Sequence, residues 1–113
     1  MNDDLEGALR NYIELLEKEE YFQAHEVLEE AWHPLRLKKD PLANLLKGLI
    51  NGAIAFEHIK RHRGNVKNKA QRVISSYQRH KHLCKNDIRY YSLFSKACAK
   101  IEELKVENDD ILN

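Results

Sequence analysis

The chain of 113 residues is short of glycine (four), proline (two), cysteine (two) and tryptophan (one), and several of these shortages exclude something. Cys84 and Cys98 form neither a C-x-x-C pair nor a zinc-finger spacing, which excludes a disulfide-stapled scaffold and points to free thiols in a reducing compartment. No apolar run approaches the length needed to span a bilayer. The acidic start Met1-Asn2-Asp3-Asp4 is not followed by the apolar stretch of a secretory signal, so a cytoplasmic protein without membrane attachment is expected. There is no serine nucleophile elbow, no glycine-rich phosphate loop and no Cys-His pair at a recognisable spacing. Net charge is only +1, yet the signs are segregated. Acids crowd the first thirty residues and the tail, and none lies between His58 and Lys85.

The few glycines and prolines stand where helices should stop, and the spacing predicts five helices and no strand. The first runs from Asp4 to Lys18, capped by Asn2 or Asp3, with Leu5, Leu9, Ile13 and Leu16 as its apolar stripe. The second runs from Tyr21 to Trp32 and is closed by Pro34. Asp40-Pro41 restarts the chain into a long third helix ending at Arg63, with Gly64 as its left-handed stop. Asn65 caps a fourth helix, Val66 to Leu83, that turns Val66, Ala70, Val73 and Tyr77 inward. Asn86-Asp87 caps a fifth, Ile88 to Leu104, with Ile88, Tyr91, Cys98 and Ile101 inward; the polar tail after Val106 is expected to fray. The fold class is therefore all-α: residues 1–113 as one domain, an antiparallel bundle around a long central helix.

From Leu42 to Ile59 the third helix is apolar nearly all the way round, as a central helix must be, except for a seam of Lys47, Asn51 and His58. A buried polar seam must find partners, because an unpaired buried polar group costs roughly 1 to 3 kcal/mol. Gly48 and Gly52 beside it imply a close helix crossing or room for something bound.

The second helix sets His25 and Glu29 four residues apart on its inward side, where they can share a hydrogen bond or a metal ion. Paired antiparallel with the third helix, they would meet Asn51 or His58. Two imidazoles and a carboxylate around one point can hold zinc, iron or manganese, and an open coordination position would activate water. The same four residues can equally be a hydrogen-bonded network that fixes helix register. Trp32 fits the core better than a stacking platform. Between Lys60 and Lys85 the basic residues spread around the helix instead of lining one side, so solvated surface or an internal fit is favoured over a nucleic-acid contact.

Three blocks carry a likeness to a known family: Tyr21-Phe22-x-Ala24-His25-Glu26-Val27-Leu28-Glu29-x-x-Trp32, Lys47-Gly48-Leu49-Ile50-Asn51-x-Ala53-x-Ala55-x-x-His58, and Arg63-Gly64-Asn65 with Ala70 after it. In these the chain resembles the small helical proteins catalogued as domain of unknown function 309. The resemblance implies an all-α bundle with His25, Glu26, Glu29, Trp32, Asn51 and His58 as candidate site residues. Some members are labelled predicted metal-dependent hydrolase. Departures occur at Asn51 and Gly52, where glutamine and a larger residue are more common, and at Glu57, where a second histidine is common.

Two functional classes follow. As a metal-dependent hydrolase, the chain would bind a divalent transition metal through His25, Glu29 and His58, with Glu26 or Glu29 accepting the proton from water. Trp32, Lys47 and Asn51 would hold an unknown small ligand. As a non-catalytic ligand-binding or protein-interaction module, it would hold an anion or a partner helix through the Lys47, Asn51 and His58 seam. A homo-oligomer is a further expectation, since a second copy could cover part of the apolar surface.

Overall fold

A computed structural model describes residues 4–61 and 66–112, and every regular element among them is helical. Helix α1 (Leu5–Glu17) starts on Asp4, whose carboxylate accepts from the Gly7 amide at 2.9 Å. The caps expected at Asn2 or Asp3 lie outside the described residues. Leu5, Leu9, Tyr12 and Leu16 are the buried stripe of α1, with Tyr12 taking the place expected of Ile13. Its ring can be buried completely because the hydroxyl donates to the Leu49 carbonyl at 2.6 Å, and burial pushes the phenol well above its ordinary pKa.

Helix α2 (Tyr21–Leu37) corrects the expected stop at Trp32, because Pro34 lies inside it. Proline there removes one amide from the helix ladder. Glu30, four residues earlier, is exposed, so water can reach the carbonyl that loses its partner, and the continuing turn packs Leu35 against the core. Both α1 and α2 end in the same cap. The Glu19 amide donates to the Leu16 carbonyl and that of Glu20 to Leu15; the Lys39 amide donates to Arg36 and that of Asp40 to Leu35. These paired bonds are Schellman motifs, and they set Glu19 (φ 61°) and Lys39 (φ 57°) in the left-handed region that glycine would occupy at less cost.

Helix α3 (Ala43–Arg61) begins two residues beyond Pro41, after a turn in which Asp40 accepts from the Leu42 amide at 2.9 Å. Its expected end at Arg63, the Gly64 stop and the Asn65 cap lie outside the described residues. α3 is the centre of the packing, with α2, α4 and α5 against it and Leu45, Leu46, Leu49, Ile50, Ala53 and Phe56 almost wholly buried. The two glycines are crossings, not cavities. A Cβ on Gly48 would stand 3.1 Å from the Tyr77 Cα, and one on Gly52 would stand 3.0 Å from the Cδ1 of Ile101.

Helix α4 (Lys67–His80) is shorter than predicted and tightens into a 3-10 turn, Lys81–Leu83. Helix α5 (Tyr91–Glu107) starts three residues later than predicted, after Tyr90 in the left-handed region, so Tyr91 is exposed while Ile88 packs partly on the core. The tail is ordered as α6 (Asp109–Leu112), held by the buried Leu112 and packed on α4 and α5. One apolar cluster runs from Leu5 to Leu112. None of the described helices is long and apolar enough to cross a membrane.

Candidate functional site

Helices α2 and α3 lie antiparallel. The rings of Tyr21 and Phe56 meet at 5.9 Å at one end of the pair, and Trp32 meets Lys47 at the other. Moving from Tyr21 to Trp32 along α2 thus means moving back from Phe56 to Lys47 along α3. In that register Asn51 falls near the middle of α2, whereas His58 lies beyond Phe56, toward the start of α2.

The expected metal sphere does not assemble. Among the described residues no group of three or more His, Cys, Asp or Glu side chains is arranged to hold a metal ion, so His25, Glu29 and His58 do not fit a shared site. His25 is half-buried and its Nδ1–H donates to the Phe22 carbonyl one turn back at 2.5 Å, with its ring edge-on to Phe22 at 4.9 Å. This bond turns the Nδ1 edge of the ring back onto its own helix. Glu26 and Glu29 are exposed and border an open groove of about 590 Å³ with Glu30, Trp32, His33 and Pro34, which excludes His25, Asn51 and His58.

The expected buried seam on α3 is also different in kind. Lys47 is exposed, and Asn51 and His58 are half-buried. Lys47 turns to Trp32, placing its ammonium 4.6 Å from the indole centre, and the Arg36 guanidinium stands 5.3 Å from the same ring. Trp32 is partly buried against the core, with His33 stacked beside it at 6.0 Å. It is neither plain core nor an open stacking platform. Its ring is the wall between two grooves, the acidic one above and a second of about 440 Å³. Arg36, Lys39, Asp40, Asn44 and Lys47 all border the second groove.

Three cations therefore face one carboxylate, and that carboxylate is already engaged. Arg89, 49 residues further along the chain, donates to Asp40 at 2.8 Å. Burial acts to raise the Asp40 pKa, but the Leu42 amide and the Arg89 guanidinium outweigh it and hold the carboxyl below its usual range. Positive charge continues onto α4. His80 is held below the ordinary histidine pKa by partial burial and by the nearby Arg79, His82 and Lys47. Arg36, Lys39 and Asn44 had no place among the expected site residues. A helix that stopped at Trp32 hid Arg36, although it stands at the i+4 position where side chains meet.

Residues 9–70, more than half of the chain, match the family described as domain of unknown function (DUF309). The chain belongs to DUF309. Searches of curated proteins and of solved structures returned no match. The DUF309 match spans α1 from Leu9 onward, α2, α3 and the start of α4, which includes His25, Trp32, Lys47 and both grooves apart from their more distant supports such as Arg89.

Proposed function

We propose that this DUF309 chain is a non-catalytic binding module that takes a small anionic ligand in the groove between the end of α2 and the start of α3. The observation that carries this is the pair of cations on one indole: Lys47 and Arg36 are both held against Trp32 at the rim of the groove. Holding two cations against one ring has an electrostatic cost that an incoming anion relieves, and Lys39 adds a third positive group. Asp40 does not repel such a ligand strongly because Arg89 already neutralises it. Asn44 supplies a neutral donor and acceptor at the same wall.

Trp32 is the only tryptophan in the chain, and its ring lines this groove and the acidic one beside it, so its fluorescence reports on that end of α2. Titration with inorganic phosphate, pyrophosphate and citrate should give a saturable change with at least one of them, weakened by added salt. Lys47→Ala and Arg36→Ala should each lower the affinity at least several-fold. A flat response in the wild type, or binding unaltered in both variants, overturns the proposal. A near-stoichiometric transition metal in protein purified without a tag or chelator, lost in His25→Ala, would transfer the function to the metal-dependent hydrolase class instead.

A further inference from the structure

A cavity of about 280 Å³ lies at the end of the α2–α3 pair opposite Trp32, where Tyr21 and Phe56 meet. Phe56 and Ile59 give it an apolar lining, and Glu19 and Glu107 border it from the cap after α1 and from the end of α5. Both glutamates are exposed, and among the described residues neither carboxylate is engaged in a hydrogen bond or an ion pair. The third charge is committed elsewhere. The Lys60 ammonium donates to the backbone carbonyl of Glu19 at 2.7 Å and stands 5.9 Å from the centre of the Tyr21 ring. Tyr21 is only 6% exposed, yet no described residue shares a hydrogen bond with its hydroxyl, whereas the other buried tyrosines are satisfied: Tyr12 by the Leu49 carbonyl and Tyr77 by Glu102. No polar side-chain atom among the described residues is both sealed and unpartnered, so the Tyr21 oxygen keeps a small opening, and the cavity that Tyr21 lines is where it opens. A hydroxyl so placed is satisfied by whatever enters the cavity.

We propose that this cavity binds a small organic ammonium ion, a short alkylamine or arylamine whose charged head is held by Glu19, Glu107 and the Tyr21 oxygen and whose apolar tail lies on Phe56 and Ile59. Two unengaged carboxylates against one committed ammonium leave the mouth net negative, which sets the sign of the ligand. The phenol oxygen accepts from an N–H donor, and the Lys60 ammonium beside the same ring shows that an alkylammonium fits next to it. Burial pushes the Tyr21 phenol up to about 12, with the charges of Glu19, Glu107 and Glu57 adding to the effect, so the hydroxyl stays protonated at neutral pH and lies in a negative field. The apolar lining separates this ligand from a bare inorganic cation, which would gain nothing from Phe56 and Ile59.

The test is a titration of the full chain, labelled with nitrogen-15, followed through its amide NMR signals at neutral pH. The probes are n-butylamine and phenethylamine, with ammonium chloride and sodium butyrate as the head and the tail-bearing anion alone. At least one amine should give saturable shifts centred on the amides of Glu19, Tyr21, Ile59, Lys60 and Asn108, with ammonium and butyrate binding at least several-fold more weakly. Glu107→Gln and Tyr21→Phe should each lower the amine affinity at least several-fold. Tyr21→Phe removes a hydroxyl that bonds no described residue, so the variant keeps the fold. No saturable shift with either amine, shifts centred instead on the groove of Glu26, Glu29 and Glu30, ammonium or butyrate binding as tightly as n-butylamine, or wild-type affinity in both variants would each overturn the proposal.

Discussion

The ammonium of Lys47 sits 4.6 Å from the centre of the Trp32 ring, on a helix antiparallel to the one that carries the indole. A cation over an exposed aromatic is worth about 0.5 to 1 kcal/mol. Lys47→Ala should therefore lower the urea unfolding free energy by no more than about 1 kcal/mol, while shifting the fluorescence maximum of the single tryptophan. A loss well above that figure would mean that Lys47 has a deeper structural task.

Gly48 and Gly52 should respond differently to the same added methyl group. In a helix interior alanine is favoured over glycine by about 1 kcal/mol. At Gly52 the obstacle is the flexible tip of Ile101, so Gly52→Ala should be close to neutral; at Gly48 it is the backbone of Tyr77, so Gly48→Ala should destabilise. Gly52→Leu overpacks the crossing and should cost about 1 to 3 kcal/mol. Chemical denaturation of the three variants checks the order.

Lys39 stands where a Schellman cap calls for glycine. A side chain in the left-handed region costs roughly 1 to 2 kcal/mol, part of which returns as extra freedom of glycine in the unfolded chain. Lys39→Gly should thus stabilise the fold by up to about 1 kcal/mol. Because Lys39 also borders the cationic groove, the same variant should weaken anion binding. A gain in melting temperature with a loss of affinity would separate the two tasks of one residue.

Asp40 and Glu102 set the acid limb of stability. For Glu102, burial acts to raise the pKa, but the hydroxyl of Tyr77, donating at 2.6 Å, and the ammonium groups of Lys105 and Lys81 outweigh it. Both carboxyls are therefore lower in the folded than in the unfolded chain. Their stabilisation is fully present above the ordinary carboxylate pKa of about 4 and is lost as pH falls through the folded values. Asp40→Asn should cost about 1 kcal/mol near neutral pH and less in acid. Tyr77→Phe should lose a hydrogen bond to a charged group, about 1.5 kcal/mol, and should shift the Glu102 contribution to higher pH. Urea midpoints measured from neutral to acid pH distinguish these outcomes from a pH-independent packing loss.

The helical periodicity of Leu5, Leu9 and Leu16, and the nearly unbroken apolar wheel from Leu45 to Phe56, made the bundle and its central helix legible from sequence. Helix ends were less legible where they broke the usual chemistry. Pro34 reads as a terminator but sits on an exposed part of α2 that tolerates a missing amide, while the true stops use Glu19 and Lys39 in a backbone shape normally signalled by glycine. The candidate site suffered from the same cause. Trp32 and Lys47 were legible as candidates, but their partner Arg36 lies beyond the apparent stop. The convergence of His25 with His58 depended on a register across two helices, which no single helix specifies.

Enclosure of α3 by α2, α4 and α5 has a consequence for hydrogen exchange. Amides along Leu45 to Phe56 reach solvent only when the whole bundle opens, and the hydroxyl of Tyr12 on the Leu49 carbonyl makes the first helix a party to that event. The four residues of α6 are anchored chiefly by Leu112 and can detach without disturbing that axis. Deuterium should therefore enter α6 through local opening long before it enters α3, giving the chain one slow spine and one leaf that opens by itself.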